Sequence, residues 1–461
     1  MNQTPTVRWI STTETAPWVE QPAAAFGTPQ TLPGVLVDTA NPQQTIEGFG
    51  ASFNEFGWDA LARLAQADRD EVMRQLFAPG AGLNFSLCRM PVGANDFSRD
   101  WYSYDETPGD FALEHFSIAN DEQTLIPFIR AAKTFQPELA LWASPWSPPT
   151  WMKRNGHYAG SMPNALWQKA ENGLQPHQVQ TEDTDSFIQE DRYLDAYARY
   201  FGAFIDAYAR HGIRIGMVMP QNEFNSAQIF PSCTWTPQGL ARFIGHLGPE
   251  MAKRDVEIFL GTLERPKEWQ AEIVLDDPQA GEFVQGVGVQ WAGKGAVPYL
   301  HRKRPELRIY QSEQECGDGR NDWRFARYAW SLLRHNFAHG VTGYMYWNMA
   351  LIEGGISRWG WAQNSLVVVD ADAHTYRFTH EFQLLKHFAH FVQPGARVLP
   401  TLSYTGYEQQ VVFRNPDGSL VIVAHNDMAT PLAWSALIDG HELAATLPAD
   451  SFNTFFIPAT R

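Results

Sequence analysis

The sequence predicts an α/β protein: a (β/α)8 (TIM) barrel with a β-sandwich side domain formed from both chain ends. Three observations carry this prediction. Eight short apolar runs recur through the middle of the chain, each followed by a loop and mostly by a helical pattern. Both ends lack that helical pattern and read as strands and turns. No glycine fingerprint follows the first apolar run, which sets aside a doubly wound nucleotide-binding sheet.

Residues 1–45 are rich in Thr, Pro, Val and Gln, with short alternations such as Val35-Leu36-Val37; they supply the N-terminal strands of the side domain. Residues 46–391 form the barrel. Its strands are the runs Ile46–Ser52, Leu83–Pro91, Leu139–Ser144, Ile213–Pro220, Val256–Gly261, Val284–Trp291, Leu307–Ser312 and Val341–Trp347. Helices lie between them. Over 191–211, Leu194, Tyr197, Phe201, Phe204, Ile205 and Tyr208 recur at three and four residues, which makes one apolar face. Leu125, Phe128, Ile129 and Ala132 do the same. Residues 392–461 return to strands. Two apolar stretches flank Asn415-Pro416-Asp417-Gly418 and predict a hairpin, and 451–457 reads as a closing strand.

Composition excludes several function classes. In 461 residues, 44 % are hydrophobic and 19 % charged, so the chain is not mainly disordered. The net charge of −16 argues against nucleic acid as a partner; the one short basic cluster, 301–304, precedes Pro305 and reads as a solvated loop. Cys88, Cys233 and Cys316 lie far apart and are odd in number, so neither a zinc site nor a full disulfide framework is expected. No apolar run is long enough to span a membrane, and the first ten residues lack a basic start and an apolar core. A cytoplasmic location is expected unless a leader has been removed. The 17 Trp, 15 Tyr and 29 Phe suit a carbohydrate, whose C–H faces stack on aromatic rings, or else a large aromatic core.

In a barrel of this kind, chemistry sits at the carboxyl ends of the strands. The fourth run turns polar at Gln221-Asn222-Glu223, and the seventh at Ser312-Glu313-Gln314-Glu315. Two carboxylates at strand ends are what glycoside cleavage needs: one protonates the leaving oxygen, the other attacks the anomeric carbon or activates water. The second run ends at Arg89 and leads to Asp96, which suit ligand hydroxyls. Trp146 follows the third run in a proline-stiffened loop, and Tyr344, Trp347 and Asn348 close the eighth. Side-chain alternation puts Glu313 and Glu315 on one face, so it does not choose between them. Depth favours Glu313, because the apolar run stops there.

These stretches are similar to those of glycoside hydrolase family 30, which includes the glucosylceramidases. The resemblance rests on residues 46–52 (Ile-Glu-Gly-Phe-Gly-Ala-Ser), 88–98, 143–153 (Ala-Ser-Pro-Trp-Ser-Pro-Pro-Thr-Trp-Met-Lys), Gln221-Asn222-Glu223, Ser312-Glu313 and 346–351. It implies a retaining β-glycosidase without metal or organic cofactor, with Glu223 as acid/base and Glu313 as nucleophile. It further implies that Arg89, Asp96, Trp146, Asn222 and Trp347 shape the subsite of the non-reducing sugar. After the sixth strand the glucosylceramidase-like members carry His-Trp-Tyr; here stand Gln290, Trp291 and Ala292, so Gln290 and Trp291 are expected at the sugar in altered roles. The expected substrate is a carbohydrate or glycolipid, cleaved from its end as by a β-glucosidase of glucosylceramidase type. Alternatives are endo-acting β-1,6-glucanase or xylanase chemistry, a β-xylosidase or β-fucosidase, and an inactive carbohydrate-binding protein. The oligomeric state is not legible.

Overall fold

A computed structural model describes residues 6–29, 32–163 and 171–459. The sequence readings at residues 1–5 and 460–461 lie outside the described residues. Eight parallel strands close into a barrel. They are β1 (Gly48–Ser52), β2 (Leu87–Pro91), β3 (Ala140–Ser144), β4 (Met217–Val218), β5 (Glu257–Leu263), β6 (Val284–Gln290), β7 (Arg308–Glu313) and β8 (Gly343–Asn348). Each falls on one of the eight apolar runs, and β8 pairs with β1 to close the ring, Gly343 opposite Gly48.

The barrel is filled in layers. Leu87, Trp142, Met217, Met219, Phe259, Tyr310 and Met345 make one apolar cluster drawn from six strands and their ends. Because side chains alternate along a strand, the residue two further on points the same way. Arg89 stands above Leu87, Ser144 above Trp142, Ser312 above Tyr310 and Trp347 above Met345. The apolar plug is therefore the floor on which a polar layer is built.

The helices follow from their sequence. The helix Asp191–Arg210 buries Leu194, Tyr197, Phe201, Phe204, Ile205 and Tyr208, the stripe read from spacing. Pro237–Ala252 starts at Thr236, whose side chain accepts from the Gly239 N–H, with Pro237 in the first turn. Asp322 caps Trp323–Ala338 in the same way.

Both chain ends enter two further sheets. The six-stranded sheet sets Arg8–Thr12 beside Ser451–Ile457, and the five-stranded one holds Val35–Val37 between Thr401–Ser403 and Leu432–Ile438. Their facing sides share a core that includes Trp9, Val35, Ile422, Trp434 and Phe455. The hairpin joins Gln410–Arg414 to Leu420–Asn426; Asn415 N–H donates to the Ser419 carbonyl, and Gly418 takes a φ of +85°, which favours glycine. His387, on the helix His380–Ala389, lies between Thr12 and Thr454 at 2.8 Å from each hydroxyl and ties barrel to side sheet.

Candidate active site

The polar layer converges on Arg89, which is fully buried. Its Nη1 donates to Glu313 Oε2 at 2.7 Å; its Nη2 donates to Asn222 Oδ1 at 2.6 Å and to Ser144 Oγ at 2.9 Å. The guanidinium carbon lies 4.4 Å from the Trp146 ring centre, 5.0 Å from Trp142 and 5.7 Å from Trp347. A delocalised, weakly hydrated cation tolerates such a site where an ammonium would not. Burial still opposes its charge, and the nearby Glu313 and Glu223 carboxylates favour it.

Glu223 follows β4 through Pro220, Gln221 and Asn222. Its φ is +51°, a left-handed conformation uncommon for a residue with a side chain. The β5 segment holds it there: the Glu223 N–H donates to Thr262 Oγ1 at 2.8 Å, and the Thr262 hydroxyl lies 3.2 Å from Asn222 Oδ1. Glu223 Oε2 is buried and has no hydrogen-bond partner among the described residues. Its carboxyl is pushed well above the usual range, first by burial and then by the like charges of Glu264 and Glu313.

Glu313 ends β7. Its Oε1 accepts from the Trp291 indole N–H at 2.8 Å and its Oε2 from Arg89. Burial raises its pKa, and Arg89 and Trp291 oppose that rise. Gln290 joins the two acids. Its Nε2 lies 3.1 Å from Glu223 Oε1 and 3.2 Å from Glu313 Oε2, while its Oε1 accepts from Arg89 Nη1 at 3.4 Å and faces the Ser312 hydroxyl at 3.0 Å. With one nitrogen touching both carboxylates, the two oxygens it meets lie closer together than the ~6.5 Å where inverting glycosidases begin.

The other expected residues divide. Asp96 is buried beside the Trp347 indole, with Oδ1 unpartnered among the described residues; burial, then the Glu313 charge, holds its carboxyl well above the usual range. Trp146 and Trp347 stack at 5.3 Å. Trp146 is 1 % exposed, so its faces serve Arg89 and Trp347 rather than forming an open platform. The open aromatic is Trp291, half-buried, with the Trp361 ring centre 5.7 Å away.

Tyr344 is a correction. Met345 faces the lumen, so alternation turns Tyr344 outward, where its ring meets Phe337 at 5.8 Å and its hydroxyl donates to Gln314 Oε1 at 2.8 Å. It does not reach the site. Asn348 also turns away from the carboxylates: it accepts from Asn54 Nδ2 at 2.9 Å and donates to Gln363 Oε1 at 3.0 Å, knitting the loops after β1 and β8. Glu315 bonds Lys294 Nζ at 2.5 Å and the Tyr328 hydroxyl, on the loop side, as depth along the strand implied.

Ser144, Thr262, Glu264 and Trp361 belong to this neighbourhood and were not read from sequence. Glu264 had a signal. The segment Gly261-Thr262-Leu263-Glu264 turns polar at a strand end, as β4 and β7 do, and Glu264 stands three residues past the fifth apolar run. Among the described residues no group of His, Cys, Asp and Glu is arranged to hold a metal ion. The three cysteines are buried, and burial raises each thiol's pKa, so they are poor nucleophiles.

A model of the glycosyl hydrolase family 30 TIM-barrel domain matches residues 46–392. The chain belongs to glycoside hydrolase family 30. It is a glycoside hydrolase. The chain is 30 % identical to the lysosomal acid glucosylceramidase of Mus musculus over 441 residues, covering 88 % of this chain and 80 % of that one. It is 27 % identical to the endo-1,6-β-D-glucanase neg1 of Aspergillus fumigatus over 445 residues, 90 % of this chain and 86 % of that one. The solved structure of SrfJ from Salmonella typhimurium superposes with a TM-score of 0.85 at 26 % identity, covering 98 % of this chain and 100 % of that one. Among the described residues no helix is long and apolar enough to cross a membrane.

Proposed function

We propose that this family 30 enzyme is a retaining, exo-acting β-glycosidase of glucosylceramidase type that works by double displacement. The carrying observation is the Gln290 amide nitrogen lying 3.1 Å from Glu223 and 3.2 Å from Glu313, which brings those two carboxylate oxygens inside the ~6.5 Å at which inverting spacings begin and so supports the retaining mechanism. Glu313 attacks the anomeric carbon while protonated Glu223 gives its proton to the leaving oxygen. Ionised Glu223 then takes a proton from water, whose oxygen displaces Glu313 and frees the sugar with its configuration kept. The environments fit these roles. Glu313 accepts from a cation and an indole, which favour the charged nucleophile; Glu223 has one amide partner, which leaves it protonated until the leaving group needs the proton. Arg89, itself bonded to Asn222, and the Trp291 indole fix the nucleophile's plane, and Asp96 is assigned to the sugar hydroxyls.

The glucosylceramidase relative supports a β-glucoside with a lipid or small aglycone. An endo-acting β-1,6-glucanase reading has its own support: Gln290-Trp291-Ala292 departs from the His-Trp-Tyr run of the glucosylceramidase-like members, and the Aspergillus relative is such an enzyme. A panel of nitrophenyl β-glycosides, with the product anomer followed by proton NMR, tests the proposal. First release of the β-anomer of glucose supports it; the α-anomer defeats the retaining mechanism. Glucose as first product from a β-1,6-oligosaccharide keeps the exo reading, and longer first products replace it with the endo one.

A further inference from the structure

A third carboxylate stands at the acid/base side of the cleft. The segment after β4 runs beside the end of β5: Gln221 N–H donates to the Gly261 carbonyl, Phe224 N–H to the Thr262 carbonyl, and the Glu264 and Arg265 N–H groups both donate to Asn225 Oδ1 at 3.1 Å. Thr262 turns its hydroxyl into the lumen onto Glu223 and Asn222, and Leu263 turns out into the core between barrel and helices. Glu264, the first residue past β5, is set beside this segment by its N–H bond to Asn225, and its side chain is 10 % exposed. Glu264 Oε2 lies 2.6 Å from Arg265 Nη1, and Arg265 Nη2 donates to Glu182 at 2.7 Å.

We propose that Glu264 is a positioning residue for proton transfer: its carboxylate, held just past β5 beside the segment that carries Glu223, keeps the proton on Glu223 until the leaving group takes it. The proposal rests on the reading of Glu223 as acid/base. The charges around Glu223 support it. From β2 comes Arg89 and from the loop after it Asp96, from β7 Glu313, from the β5 end Glu264 and Arg265, and from the 171–190 segment Glu182, with Asp183 held by Lys267. Both arginines are engaged by other acids, Arg89 by Glu313 and Arg265 by Glu264 and Glu182, so among the described residues no cation pairs with Glu223. The like charges of Glu264 and Glu313 both oppose ionisation of Glu223. Burial raises Glu264 as well, and the Arg265 cation opposes that rise.

The test is the pH profile of kcat/KM for Glu264→Gln on a glycoside with a poor leaving group, beside Glu264→Asp. The expected result is a basic limb moved about one unit to lower pH in Glu264→Gln, a tenfold loss on that side that grows with the leaving group's pKa, and a smaller move in Glu264→Asp. A structural role would lower turnover alike at every pH and for every leaving group. Azide rescue of Glu223→Ala is measured in the same series. If rescue succeeds and both Glu264 variants keep the wild-type limb, the positioning role is overturned and the acid/base reading stands. If rescue fails, both fall.

Discussion

Strand β7 carries a charge at each end, and the two ends of the barrel treat charge in opposite ways. At the lower end, Arg308 Nε donates to Glu47 at 2.9 Å and Nη1 to Glu257 at 2.6 Å, and the Tyr310 hydroxyl donates to Glu47 at 2.6 Å. There the cation and phenol outweigh burial, so the Glu47 carboxyl lies below its usual range and the Arg308 guanidinium above. At the upper end one arginine faces Glu313, Glu223 and Asp96, and all three carboxyls are raised. A network that satisfies its charges stabilises the fold; one that leaves an oxygen unpaired, as at Glu223 Oε2, keeps a proton ready for chemistry.

The difference can be broken most sharply at Glu313. Glu313→Gln is expected to lower kcat/KM by about 10⁴-fold or more, and a 2-fluoro glycoside with a good leaving group should label Glu313 in the wild type. Peptide mapping that finds the label on Glu315 instead would overturn the assignment.

Glu223→Ala should cost about 10²–10⁴-fold on poor leaving groups, far less on dinitrophenyl glycosides, and should regain turnover with azide. Equal loss on all substrates would remove Glu223 from the acid/base role.

The rate profile of the wild type should be bell-shaped with an optimum at roughly pH 5–7, its acidic limb from Glu313 and its basic limb from Glu223. Activity that keeps rising to pH 9 would contradict two raised, interacting carboxyls.

Stability should respond in opposite senses at the two ends. Glu223 has a raised pKa in the folded state, so its contribution is full below the unfolded pKa and is lost as pH rises toward the folded one. Glu223→Gln should therefore melt higher than wild type at pH 7, with the gap closing toward pH 4. Glu47 has a depressed pKa, so its contribution is present above the unfolded pKa and is lost as pH falls through the folded one. Glu47→Gln should cost about 1–3 kcal/mol at pH 7, less toward pH 3, with kcat nearly unchanged. Denaturant melts at both pH values check the pair; the same sign at both sites would erase the contrast between the two ends.

The sequence by itself determined the barrel, because eight apolar runs buried on both sides leave a strong pattern, and it determined the hairpin at Asn415–Gly418 through its turn residues. It also marked Glu223 and Glu313, since a carboxylate is conspicuous where an apolar run stops. It placed Tyr344 wrongly because a fully buried strand has no polar alternation to show which face looks inward: Tyr344 and Trp347 are equally apolar in sequence and only strand register separates them. The bridge through Gln290 and the Thr262 hydroxyl under Glu223 were decided by tertiary structure alone. Each depends on neighbouring strands meeting at a given height, and the shear of a closed barrel sets that height without leaving a mark on any one strand.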